Sequence, residues 1–270
     1  MSISELQRKL LQIVFANRSP DSYVAGGMLV AVEGMRGTKD IDIFHSREEG
    51  SIAKTCYEID RASLKHAGYS LRPVFEPRPG FVRAEVAGPG GSCLIDWAED
   101  SSWRFFPVQQ DPLFGWRLHR LDVATDKVLA AVGRSEARDA ADLVFFHRNP
   151  LSLGALIWAA ASKDPGFAPA ALVDMISRQA NYSPDDYRTL QLRQGIDPHE
   201  LKAAWVEALC DARTLVEKLP PKNVGCFFLD GAGKVIEPDP EHPETLAHRL
   251  EASRRGCWPN IMTPTGALRD

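Results

Sequence analysis

Apolar positions near the start of the chain fall at Leu6, Leu10, Ile13 and Val14, one stripe of a helix, which predicts a helix over residues 4–17 broken by Ser19-Pro20. Gly26-Gly27 then opens a short apolar element that reads as a second helix ending near Gly34 and Gly37. The period changes at Asp40-Ile41-Asp42-Ile43-Phe44, where polar and apolar residues alternate, and this predicts a strand. Residues 50–67 return to helical spacing, with Gly68 as C-terminal cap. An extended segment over 70–75 follows. Runs 81–87 and 92–98 flank Gly88-Pro89-Gly90-Gly91 and predict a hairpin. Beyond Leu118, helical spacing resumes at Leu121, Ala124, Val128, Ala131 and Val132 as far as Gly133, then over 136–147 until Pro150.

Residues 151–219 read as mostly helical, punctuated by Asp164-Pro165-Gly166, Ser183-Pro184 and Asp197-Pro198. Ser183 and Asp197 suit N-caps with proline at the first helical position. A hairpin over 226–236 turns on Asp230-Gly231-Ala232-Gly233, and an acidic, proline-rich linker over 237–244 leads to a last helix rich in both charge signs. The expected architecture is α/β (α+β): a mixed-sheet domain over 1–149 and a mainly helical region over 150–270.

The 270 residues, 44% hydrophobic and 25% charged, can bury a sizeable core, which excludes a wholly disordered chain. A formal net charge of −4 neither advertises a nucleic-acid binder nor excludes a local basic cleft. Five scattered cysteines without a C-x-x-C fit reduced thiols in a cytoplasmic protein better than a disulfide frame or a zinc site. The N-terminus does not read as a signal peptide, and the longest apolar run, 151–161, is too short to span a bilayer, so no membrane partner is expected. Gly231-Ala232-Gly233-Lys234 looks like the end of a phosphate loop, but Phe228 stands five residues before Gly233 and Val235 follows the lysine.

The chemistry concentrates between Val24 and Phe44. In a strand, Asp40 and Asp42 share one face, and two like charges side by side call for a cation. Magnesium takes carboxylate oxygens and completes its shell with water and substrate phosphates. A glycine pair at a helix start lets backbone N–H groups approach a phosphate. Phosphate cradle plus metal-binding carboxylates equips a site for phosphoryl or nucleotidyl transfer.

Gly26-Gly27 followed by Arg36-x-Thr38-x-Asp40-Ile41-Asp42 resembles the signature of polymerase-β-type nucleotidyltransferases, most closely the AbiEii/AbiGii toxin branch. Leu121-Asp122 with Lys127 and Ala130, then Arg138-Asp139-x-x-Asp142-Leu143, resembles two further motifs of that branch. The resemblance covers roughly residues 20–148. It implies the minimal polymerase-β-type fold, a nucleoside triphosphate donor and two magnesium ions held by Asp40, Asp42 and a third carboxylate on a neighbouring strand. Asp96 is the natural candidate for that third ligand, with Glu99 and Asp100 close by. Gly26 and Gly27 would hold phosphates through backbone amides. Arg36 would reach a phosphate or brace the loop, and Thr38 reads as structural.

Lys127 would contact the triphosphate. Asp142 would orient Lys127 or act as a base, and Asp139 reads as an exposed helix charge or a partner of Arg138 or Arg134. The branch further implies an RNA acceptor such as the 3′ end of tRNA, a toxin role and an antitoxin partner. A transferase acting on an antibiotic-type small molecule, and an idle nucleotide-binding or interaction module, are the competing readings.

Overall fold

A computed structural model describes residues 3–47, 52–179 and 181–259. In chain order the elements are α1 (Glu5–Val14), β1 (Ser22–Val24), α2 (Gly26–Glu33), β2 (Asp40–Ser46), α3 (Ala53–His66), β3 (Ser70–Pro73), β4 (Phe81–Gly88), β5 (Gly91–Asp100), β6 (Trp103–Arg104), β7 (Gln109–Asp111) and β8 (Gly115–Arg117). They continue with α4 (Arg120–Gly133), α5 (Ala137–Phe146), α6 (Leu153–Ala160), α7 (Pro169–Gln179), α8 (Pro184–Arg188), α9 (Pro198–Lys218), β9 (Cys226–Leu229), β10 (Val235–Ile236), β11 (His248–Glu251) and β12 (Ser253–Arg254). The chain divides into two compact units: Met1–Ser102 with Val108–Val123, and Trp103–Pro107 with Ala124–Asp270.

The first unit is built on a seven-stranded mixed sheet in the order β3-β4-β5-β2-β1-β8-β7. β2 pairs with β5, and β1 with β8, in parallel; the other neighbours are antiparallel. Alternation along the strands gives the sheet two unlike faces. Ile41, Ile43, Val82, Ala84, Val86, Ile95 and Trp97 are buried on one of them, where α1 and α3 pack. Asp40, Asp42, Arg83 and Glu85 occupy the other and stay half-exposed. Helix α1 starts with a capping box: Gln7 N–H donates to Ser4 Oγ (3.1 Å), and Ser4 N–H donates to Gln7 Oε1 (2.8 Å). The Gln7 amide nitrogen then reaches Thr38 O at 2.9 Å and ties α1 to the loop ahead of β2.

Beneath the sheet lies a buried ion pair that sequence reading missed. Arg18 Nη2 donates to both carboxylate oxygens of Asp60 at 2.6 Å. Asp60 also accepts from Trp97 Nε1 (2.7 Å) and Asn17 Nδ2 (2.9 Å). Tyr57 meets the Trp97 ring edge to face at 5.0 Å. This network pins the back of β5 at the residue next to Asp96.

His45 is fully buried on the same side, and neither ring nitrogen has a hydrogen-bond partner among the described residues. Burial, with the Arg18 charge adding, pushes its pKa down to about 3. The unfolded chain takes up that proton near pH 6.5 and the folded chain does not, so His45 contributes stability that is full above this pH and lost as pH falls towards 3. We expect urea midpoints to drop on acidification, and His45→Leu to remove about 1.4 kcal/mol per pH unit of that dependence between roughly pH 6 and 4. Parallel acid limbs in the two proteins would refute this.

The second unit is mainly helical, from α5 to α9. Ser183 and Asp197 cap α8 and α9 as expected, each with proline in the first turn. The hairpin β9–β10 is present, and Asp230 Oδ1 closes its turn by accepting from Ala232 N–H and Lys234 N–H at 2.9 Å each. That bond pattern makes the glycine-rich stretch a hairpin turn.

Two expectations need correction, at residues 248–251 and at Asp139. Residues 248–251 do not continue as a helix: β11 pairs with β9, making a three-stranded sheet in which only Leu250 of β11 points inward. The mixed charges there alternate around one apolar residue, a strand period. Residues 260–270 lie outside the described residues, as do Gly50 and Ser51 of the helix expected over 50–67, which starts at Ala53. Short strands β1, β7 and β8, which no run of alternation announced, complete the large sheet. Asp139 is not an exposed helix charge; it is fully buried.

Candidate active site

The turn from β1 into α2 brings the glycine pair against β2. Gly26 has φ +66°, and a Cβ there would lie 2.3 Å from Asp42 Oδ2, so both conformation and space require glycine. Gly27 N–H donates to the same oxygen at 3.0 Å. The amide expected to cradle a phosphate thus holds a carboxylate at the N-terminus of α2, an anion-favouring position. Arg36 is buried and donates to Gly37 O at 3.0 Å, bracing the loop before β2. The Thr38 hydroxyl lies 3.4 Å from Asp40 N, as a structural residue would.

Asp40 and Asp42 project from one face of β2, as their spacing requires. Parallel register places Asp96 of β5 beside Asp42, and antiparallel register places Arg83 of β4 beside Asp96. Three strands therefore carry an aligned row, Arg83, Asp96 and Asp42, on the charged face. Both oxygens of Asp96 are taken by Arg83, from Nε at 2.6 Å and Nη2 at 2.5 Å. These hydrogen bonds, and behind them the charges of Asp96, Asp40 and Asp42, raise the arginine's pKa further, against the effect of burial.

The alternative third carboxylates are engaged elsewhere. Glu99 accepts from Ile52 N–H (3.1 Å) and pairs with Arg47 (3.3 Å), while Asp100 accepts from the Tyr23 hydroxyl. A cleft of about 350 Å³ flanks Asp40, lined by Lys39, Arg72, Val74, Glu85 and Leu94 among others.

Among the described residues no three His, Cys, Asp or Glu side chains cluster closely enough to hold a metal. Asp40 and Asp42 nonetheless suit magnesium. They offer oxygen donors only, they are half-exposed, and such an ion takes one or two carboxylates and keeps the rest of its shell for water and phosphate.

In the second unit Lys127 is buried, its Nζ 2.7 Å from Asp142 Oδ2 and 3.1 Å from Asp139 Oδ1. The Asp142 carboxylate thus pairs directly with the Lys127 ammonium. Arg134, not Arg138, is the partner of Asp139, with Nε at 2.8 Å from Oδ2. Burial pushes the Asp139 carboxyl up, but hydrogen bonds from Arg134 and the nearby Lys127 and Arg134 charges outweigh it and hold the pKa below the usual range.

The charged face of the mixed sheet carries D-x-D beside a glycine-opened helix, and comparison with a solved structure shows that the fold is that of a nucleotidyltransferase. MenT4, a nucleotidyltransferase toxin from Mycobacterium tuberculosis H37Rv, matches over 80% of this chain and 83% of its own, with a TM-score of 0.52 and 14% identity. JHP933 from Helicobacter pylori matches over 80% and 95% of the two chains, at 16% identity and a TM-score of 0.47. No protein-family model and no curated protein sequence matches the chain. The chain has the fold of a nucleotidyltransferase, shared with MenT4. No helix among the described residues is long and apolar enough to cross a membrane.

Proposed function

We propose that this chain is a magnesium-dependent nucleotidyltransferase that moves a nucleoside monophosphate from a nucleoside triphosphate to an acceptor hydroxyl of RNA, the 3′ end of tRNA in the first instance. We further propose that it acts as the toxin of a toxin–antitoxin pair. The observation that carries the reading is Asp40 and Asp42 on one strand face with the Gly27 amide fastened to Asp42. The fold held in common with a nucleotidyltransferase toxin supports it, and the motif resemblance supports RNA as acceptor and a protein antitoxin as partner.

In this reading Asp40 and Asp42 hold the cation that accompanies the triphosphate. The bound ion would polarise the reacting phosphate and lower the pKa of the attacking hydroxyl. Gly26 and Gly27 let the start of α2 come close to an anion without a side chain between, which here is Asp42 and in the complex would include phosphate oxygens. The acceptor oxygen forms a bond to the α-phosphorus as the bond to the β-phosphate oxygen breaks; pyrophosphate leaves and the hydroxyl proton is released.

The test is incubation of the purified protein with magnesium, total RNA and each α-³²P-labelled nucleoside triphosphate in turn. We expect label in a tRNA-sized band with one preferred donor. Label that moves only to a small-molecule acceptor would reassign the acceptor. Triphosphate that binds but is never cleaved would overturn the enzymatic reading.

A further inference from the structure

The row across β4, β5 and β2 puts one arginine beside the acidic face. Three carboxylates, Asp40, Asp42 and Asp96, share this face with the Arg83 guanidinium. The arginine is fixed at both ends of its guanidinium environment. It grips the two oxygens of Asp96, and its guanidinium carbon lies 5.9 Å from the Phe81 ring centroid, a cation–π distance. Asp96 itself is only 7% exposed and lies in register beside Asp42. A metal ion approaching Asp96 would therefore meet a carboxylate already neutralised by a bidentate partner.

We propose that Arg83 withholds Asp96 from metal coordination, so that before nucleotide arrives the chain binds a single divalent cation through Asp40 and Asp42. Asp96 is then a positioning residue for Arg83, and it becomes a metal ligand only when that pair opens. The inference rests on the nucleotidyltransferase reading.

Mn²⁺ binding tests it, followed by loss of the free-ion EPR signal in high salt, where field effects without contact are screened. Water-proton relaxation counts the waters left on the bound ion. The parent is expected to take up one Mn²⁺. Arg83→Gln should bind it roughly tenfold more tightly and with one water fewer, because a released carboxylate joins the shell. The double variant Arg83→Gln/Asp96→Asn should return to the parent's water count and affinity.

An unchanged water count in Arg83→Gln, or a gain that survives in the double variant, would overturn the proposal. Should Arg83→Gln fail to fold, Arg83→Lys keeps the charge but cannot span both oxygens, and it should show the same loss of one water. A parent that binds Mn²⁺ and transfers label while Arg83→Gln behaves like it would sink this inference alone. A parent that neither binds the ion nor transfers label would sink the transferase reading with it.

Discussion

Asp42→Asn is expected to lower nucleotidyl transfer by about three orders of magnitude while leaving the fold intact. The asparagine side chain keeps an oxygen that can accept the Gly27 N–H, so the turn from β1 into α2 should hold its shape. What it removes is a negative charge on the face shared with Asp40, and hence half of the proposed cation site. Losing several kcal/mol of charge stabilisation in the transition state corresponds to a rate loss of this size. Single-turnover labelling gives the rate, and a thermal melt by circular dichroism checks the fold. A rate within tenfold of the parent would remove Asp42 from the mechanism. A collapse of the melt would mean that the carboxylate is needed mainly to hold the glycine turn.

The largest effect on stability is expected at Asp60. Asp60→Ala would leave the Arg18 guanidinium, with a side chain only 1% exposed, buried without its counter-charge, and would strip the Trp97 indole N–H of its acceptor. Breaking a buried pair in this way costs about 3–5 kcal/mol, whereas replacing both partners by apolar groups is often nearly neutral. Arg18→Met/Asp60→Leu should therefore be more stable than Asp60→Ala, although it changes more atoms. Urea unfolding followed by tryptophan fluorescence measures both. A loss below about 1 kcal/mol in Asp60→Ala would show that water or a neighbour takes over the guanidinium.

The parts of the site that could be read in advance were those written within a few consecutive residues. Asp40-Ile41-Asp42 needs only the strand period, and Gly26-Gly27 only its place before an apolar helix. Asp142 was legible as a partner of Lys127 through its motif. Asp139 reads as an exposed charge because a charged residue on a helix is ordinarily solvated; α5 is instead buried around Asp139, Ala140, Asp142 and Leu143. Arg18 and Asp60 stand 42 residues apart, and nothing local links them.

Arg83 is different, because a signal was available. The β4–β5 turn pairs Gly88 with Gly91, and stepping back equally along both strands arrives at Arg83 opposite Asp96. The short strands β1, β7 and β8 exist through their neighbours. Three residues are too few for a period, and β1 owes its place to pairing with β2 and β8. At residues 248–251 the mixed charge reads as a helix surface, whereas β9 supplies a partner strand.

The outer members of the large sheet bear on how the protein behaves in concentrated solution. One margin is β3, four residues long, with the charged Arg72 and a final proline that has no N–H to offer. The other is β7, three residues of glutamine, glutamine and aspartate. Short, polar margins of this kind discourage strand addition by a second molecule. Self-assembly through edge-to-edge sheet growth is thus disfavoured at both ends, and the protein should tolerate the high concentrations that metal titrations demand.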